Sequence, residues 1–229
     1  MRTFLSILSG AVFALPVAPC VAGDNELSDQ EKAEGWQRLF NGKDKTGWKC
    51  STGAPIATPI EDGCLQPHEA GGYLIVHEKQ FGDFVLKCDV KMAEPYCNSG
   101  IFFRVSNLAD PPRHGLECQI TSLSLDPYGL YGAIYDLARP SKNMLRGNLW
   151  GWHTVEIRCK GPHITVVIDG ETVTKMNCDE FTEKFKRPDG RKHKFNFAIK
   201  DLPRRGYIGF QDHGQKVWYK NVKIKELKN

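Results

Sequence analysis

The sequence predicts an all-β domain, an antiparallel sandwich or barrel. Three observations carry this: apolar and polar residues alternate with period two in many short segments, turn residues separate the segments, and sustained helical periodicity is nearly absent. Composition agrees. Apolar residues make up 41% and charged residues 25%, an ordinary globular balance that excludes a disordered chain, a collagen or a membrane bundle. The 22 Gly and 13 Pro suit a chain with many turns.

The elements follow in chain order. Residues 1–23 read as a secretory signal peptide. Arg2 supplies a positive start, Phe4 to Ala18 is apolar, and the small residues Val21, Ala22 and Gly23 mark a cleavage site. The apolar run is short for a membrane span, so no stable membrane insertion is expected once it is removed. Pro19 before Cys20 makes a poor lipoprotein signal. The expectation is therefore an exported protein, periplasmic or extracellular. Residues 24–35 form an N-terminal segment with one helical signal: Leu27 to Phe40 opens with Ser28 as N-cap, and Glu31 three residues on completes a capping box. The domain proper is residues 36–229, long enough for one sizeable core.

Strands are expected at 84–92, 100–105, 116–121, 155–160, 163–169, 207–213 and 220–226, each with one apolar side. Asp169-Gly170 between 163–168 and Thr172 to Met176 predicts a hairpin turn. Residues 181–205 differ, with Lys184, Lys186, Arg187, Arg191, Lys192, Lys194, Lys200, Arg204 and Arg205. They read as a solvated loop over the sandwich, or as a basic lip over an acidic or polar ligand. The net charge of +4, from 31 basic and 27 acidic residues, is too mild to indicate nucleic acid, and no nucleic-acid motif is present.

Loss of Cys20 with the signal peptide leaves an odd number of the eight cysteines, so at least one thiol is unpaired within the chain. Export permits disulfides. Cys50 and Cys64 flank a short turn-rich segment and are the expected pair. Cys88, Cys118 and Cys159 fall at apolar strand positions and fit small buried hydrophobes at least as well as a bridge. No CxxC occurs, so zinc has no support.

Three strands carry unusual polar residues on one side. Alternation sets Phe102 and Arg104 against Ile101, Phe103 and Val105. It sets Glu117, Gln119 and Thr121 against Leu116, Cys118 and Ile120, and Tyr207, Gln211 and His213 against Ile208 and Phe210. If the three strands are neighbours, these groups share one surface. Taken singly, each is ordinary outer-face polarity. Together, with Asn98 feeding the Arg104 strand, they suit sugar recognition: amides and Arg bond hydroxyls, and aromatic faces pack on sugar rings.

The motifs carry a family resemblance. Phe40-Asn41-Gly42-Lys43-Asp44 with Gly47-Trp48, then Asn98-Ser99-Gly100-Ile101-Phe102-Phe103-Arg104, Gly115-Leu116-Glu117-Cys118-Gln119-Ile120, Trp152-His153-Thr154-Val155-Glu156, and Gly206 to Gly214 followed by Tyr219-Lys220-Asn221-Val222, come in order over residues 36–227. In that order they resemble the 3-keto-disaccharide hydrolase-like family. The resemblance implies a concanavalin-A-like jelly roll with a concave ligand groove and action on glycosides oxidised at C3. The chain departs from the family pattern at Thr121-Ser122, where an acidic residue is usual, at His153 in place of Asn, and in its longer basic stretch. No Glu-x-Asp-x-x-Glu pattern is present, so retaining hydrolysis by paired carboxylates has no support.

A C3 ketone acidifies the C2 hydrogen, so a base can remove it, the C1 substituent can leave, and water can add. On that chemistry the base is His213 or Glu117. His213 is favoured because histidine as a residue type needs no special environment to serve as a base near neutral pH, whereas a glutamate needs burial to raise its pKa and a neighbouring Arg104 would lower it. Glu117 then serves as a hydroxyl or metal ligand, and Arg104 holds the C3 oxygen. Asn98, Gln119 and Gln211 position hydroxyls, with Phe102 and Tyr207 as aromatic contacts. Tyr131 either protonates the leaving group or packs at a strand end. No cofactor is expected, and a divalent ion at Glu117 has no support from ligand spacing. The partner is a carbohydrate, an oxidised glycoside. The rival expectation is a non-catalytic carbohydrate-binding module on the same fold.

Overall fold

The computed structural model describes residues 23–93, 96–122, 124–145 and 150–228. The expected signal peptide lies outside these residues apart from Gly23. Eleven strands form two antiparallel sheets. One sheet has six strands, in the order β1 (Gln37–Arg38), β11 (Val217–Glu226), β4 (Phe84–Met92), β7 (His153–Lys160), β8 (His163–Ile168), β9 (Glu171–Asn177). The other has five, in the order β2 (Trp48–Cys50), β3 (Leu74–Phe81), β10 (Gly206–Gln211), β5 (Asn98–Val105), β6 (Leu116–Thr121). Of the two architectures that the alternation predicts, sandwich or barrel, the chain forms the sandwich.

The inward positions of both sheets fill the space between them. Leu86, Cys88 and Val90 of β4 and Val155, Ile157 and Cys159 of β7 belong to one core with Ile101, Phe103, Cys118, Ile120 and Phe210. Trp48, Phe210 and Tyr219 stack in series from one sheet to the other, with ring centroids 5.2 and 4.0 Å apart. Each such fully buried apolar side chain contributes roughly 1.5–3 kcal/mol. Asp169 and Gly170 join β8 to β9 with both φ angles positive, 49° and 81°, the conformation a two-residue hairpin turn requires.

The helical signal yields a shorter element than expected. Helix α1 covers Asp29–Ala33, with the Ser28–Glu31 capping box formed in both directions. Gly35 at φ 84° ends this stretch, and residues 37–38 go to the sheet edge instead. A second short helix, α2 (Pro111–His114), lies in the connection from β5 to β6.

The expected Cys50–Cys64 bridge is not formed. All seven described cysteines are buried and unbridged. The Cys50 thiol donates to the Ala70 carbonyl at 3.0 Å, while that of Cys64 turns to its own tight turn at Asp62. Both behave as small core residues.

Candidate active site

β10, β5 and β6 are neighbours, so the three polar strands do share one surface: the outer face of the five-stranded sheet. Register sets Phe102 opposite Glu117, Gly100 opposite Gln119 and Asn98 opposite Thr121. Glu117 lies across Gly100, where a Cβ would come within 2.5 Å of the Glu117 carboxylate. That is the local reason for glycine in the Asn98-Ser99-Gly100 motif.

Glu117 is only 6% exposed and its carboxyl makes no hydrogen bond to the described residues. Burial pushes its pKa up to about 7, with the Lys194 ammonium pulling the other way. Around it, Gln119 donates to Asn98 Oδ1 at 2.8 Å, and the Gln211 amide donates to the Tyr73 hydroxyl. The Oε1 atoms of Gln119 and Gln211 are buried with no hydrogen-bond partner. A buried orphan acceptor costs about 1–3 kcal/mol, and two of them share this face with a carboxyl of raised pKa. Tyr207 lies half-buried on the same side, packed on a small apolar cluster of Leu74, Val76, Phe102 and Val105.

Three expected site residues lie elsewhere, and a fourth is buried beneath the face. Arg104 does not join this face. Tyr207 pairs with Val105 and Gly209 with Phe102, so Phe103 and Arg104 together oppose Ile208 alone. This is a β-bulge, with Arg104 at φ 52°. The extra residue turns Arg104 inward: it is fully buried, donates to Asp83 at 3.0 Å, and its charge is felt by the core thiols Cys159 and Cys178. Asp83 also accepts from the Gly161 backbone N–H, so the pair ties β5 to the β7–β8 turn. The bulge likewise returns Val105 to the outer face.

Tyr131 lies in the core between the sheets, its ring 5.7 Å from that of His153 and its hydroxyl buried without a hydrogen-bond partner. It packs, and it is not positioned to protonate a leaving group on the outer face. Strand β10 ends at Gln211, so His213 is not on the strand at all; it is exposed in the turn to β11. Phe102 faces the expected way but is fully buried, with Tyr73 edge-on at 5.9 Å, so it is floor rather than contact surface.

Residues the alternation could not supply complete the face. Residues 132–135 run beside β6: the Gln119 N–H donates to Ala133, that of Gly132 to Gln119, and that of Tyr135 to Glu117. This brings Tyr135 to the edge of the cluster. Asp136 then accepts from the Lys194 backbone N–H at 2.6 Å and binds the Arg187 guanidinium. Lys194, from the basic stretch, sits 4.6 Å over the Tyr135 ring. Burial lowers its pKa while Glu117 and Asp136 oppose the shift. Burial also raises the Tyr73 hydroxyl to about 12, with the Glu117 charge adding to it. Of the basic stretch, Lys194 is the residue whose charge acts on Glu117.

A cavity of about 700 Å³ lies elsewhere, between Tyr128, Arg139, His163, Lys175 and Arg187. It contains none of the expected site residues, and its Tyr128 and Arg187 are already engaged by Asp189 and Asp136. Among the described residues no group of three or more His, Cys, Asp or Glu could hold a metal ion, and no helix is long and apolar enough to cross a membrane.

Comparison with known proteins agrees with the fold and the motifs. The chain is 22% identical over 232 residues to a 3-keto-disaccharide hydrolase of Bacteroides thetaiotaomicron, covering 85% of this chain and 79% of that protein. Two crystal structures of provisionally assigned glycosyl hydrolases from Parabacteroides distasonis superpose with TM-scores of 0.74 and 0.70. They are 28% and 26% identical, covering 90% and 84% of this chain and 100% and 99% of theirs. Residues 35–225 match the 3-keto-alpha-glucoside-1,2-lyase-like domain, and the chain belongs to that family.

Proposed function

We propose that this protein is an exported enzyme that cleaves 3-keto-glycosides by elimination and hydration, a net hydrolysis, with Glu117 as the base. The observation that carries the reading is a carboxyl with a pKa of about 7, buried on a face with two unsatisfied amide acceptors. The names of the family and of its relatives support a glycoside as substrate. The N-terminal pattern of residues 1–23 supports export.

A general base works best when its pKa lies near the working pH. An ordinary glutamate is a weak base; raised to about 7, Glu117 is stronger and still half ionised at neutrality. The expected objection, that Arg104 lowers Glu117, is gone because the bulge turns Arg104 to the other side of the sheet. His213 loses its advantage because it is exposed beyond the strand. In the reaction, the C2 proton passes to Glu117 and the electron pair forms the enolate of the C3 ketone. The pair then returns to expel the C1 substituent, whose oxygen takes a proton from Glu117 or water. Water adds across the resulting enone, hydroxyl at C1 and hydrogen at C2. Gln119 and Gln211 accept hydrogen bonds from ring hydroxyls, and Asn98 fixes the Gln119 amide.

Turnover of 3-keto-glycosides beside their unoxidised parents tests this. Cleavage of the keto sugars alone, lost in Glu117→Gln and kept in His213→Ala, is the expected result. Cleavage of the parents contradicts the elimination. Saturable sugar binding without cleavage of either would make the protein a binding module.

A further inference from the structure

We infer that Lys194 is the electrophile of this site, its ammonium holding the C3 oxygen of the substrate as negative charge develops there. The inference rests on Glu117 being the base. Enolate formation needs a cation or strong donor where the oxygen charge appears. Arg104, the residue the strand alternation offers for that task, is sealed inside the sandwich against Asp83.

Lys194 meets the need on independent grounds. Its backbone is clamped by Asp136, which Arg187 holds in turn through two contacts, so the residue is fixed rather than loose in the basic stretch. Its side chain lies over the Tyr135 ring and, at 5.3 Å, over that of Phe195, and is half-buried. Unlike Lys186 and Lys200 in the same stretch, which pair with Glu183 and Asp201, its ammonium makes no salt bridge within the described residues. The groups whose charges reach it are Glu117, Asp136, Asp110 and Arg113, and those that sense Glu117 are Lys194, Tyr73 and Tyr135 on the outer side and Cys118 and Tyr219 in the core. Lys194 and Glu117 therefore act on each other's charge, and among the described residues neither side chain is engaged in a salt bridge. A substrate between them gives its C2 hydrogen to one and its C3 oxygen to the other. Electrons balance: the charge Glu117 loses on protonation appears on the oxygen that Lys194 binds.

The test is exchange of the C2 hydrogen for deuterium, in deuterium oxide, on a 3-keto sugar with no leaving group at C1. It isolates enolate formation from cleavage. We expect the wild-type protein to exchange it and Glu117→Gln not to. Lys194→Met should slow exchange about 10²–10³-fold, as loss of one oxyanion donor does, with Lys194→Arg recovering part of the rate. The acid limb of the pH profile should also move to higher pH in Lys194→Met, because the cation that lowers Glu117 is gone. Exchange within about threefold of wild type and an unmoved limb in Lys194→Met, with Glu117→Gln inactive, would overturn the role of Lys194 and leave the base standing. No exchange by the wild-type protein, or full exchange by Glu117→Gln, would overturn the base and this inference with it.

Discussion

Strands β6 and β7 carry nearly the same pattern and meet opposite fates. β6 reads Leu116-Glu117-Cys118-Gln119-Ile120, and β7 reads Val155-Glu156-Ile157-Arg158-Cys159. In each, apolar residues face the core and a glutamate leads the outer face. On β7 the outer face meets water: Glu156 pairs with Lys87 at 3.1 Å and with Arg158 at 3.2 Å, an ordinary surface ladder. On β6 the outer face is roofed by Tyr73, Tyr135 and Lys194, and Glu117 has no partner of its own. The difference is not in the strand but in what the loops lay over it.

Function should break along this line first. Glu117→Gln should cut kcat/KM on 3-keto-glycosides by about 10²–10⁴-fold, the usual contribution of a general base, while Glu156→Gln should stay within about twofold. Equal losses in the two variants would erase the distinction between the faces.

A second contrast sets the inner charge against the outer ones. Arg104 is fully buried beside Asp83, with its Nε and Nη1 lacking partners. Asp83→Ala leaves that charge alone in the core and should destabilise the fold by about 3–5 kcal/mol, read by urea unfolding. Arg158→Ala, on the exposed ladder, should cost under about 1 kcal/mol. A small loss in Asp83→Ala would mean that Arg104 is not held inward.

The third contrast is in pH. Glu117 holds its proton in the folded chain to about pH 7 but loses it near 4.5 when unfolded. Below pH 4.5 both states are protonated and the residue adds no cost. Between 4.5 and 7 the unfolded chain ionises first, so stability falls as pH rises, and above 7 the cost levels off at about 3 kcal/mol. Glu117→Gln should therefore be more stable than wild type at pH 8, by up to that amount, and nearly equal to it at pH 4. Thermal unfolding at the two pH values checks this; a variant less stable at pH 8 would mean that the carboxylate is stabilised by its surroundings.

The smallest expected effect concerns room rather than charge. Gly100→Ala places a methyl against the Glu117 carboxylate and should lower turnover about tenfold by displacing it. Gly161→Ala, where nothing lies within 4 Å but φ is 53°, should strain the β7–β8 turn without touching turnover.

Much of this was legible in the chain. Alternation gave the strands, the inward and outward sides of β6 and the three strands with polar faces, because period-two burial is written residue by residue; that those strands are neighbours comes from the sheet order. It failed where one residue breaks the period. The bulge at Arg104 reverses the faces of residues 104 and 105, and nothing in Phe103-Arg104-Val105 announces it. The strand end at Gln211 removes His213 for the same reason. Tyr131, Tyr135 and Lys194 sit on loops, and loop placement comes from tertiary contacts such as Asp136 with Arg187 and Lys194. The basic stretch drew notice as a whole, but no sequence signal separates Lys194 from its eight basic neighbours. The pKa of Glu117 depends on the roof, so it was invisible too.

The most direct test of the account is a carbon NMR titration of the Glu117 side-chain carboxyl, assigned by its loss in Glu117→Gln. The account predicts a midpoint of about 7. A midpoint in the ordinary glutamate range would contradict it, because the carboxyl would then not be held in the buried, partnerless setting that marks it as the tuned base.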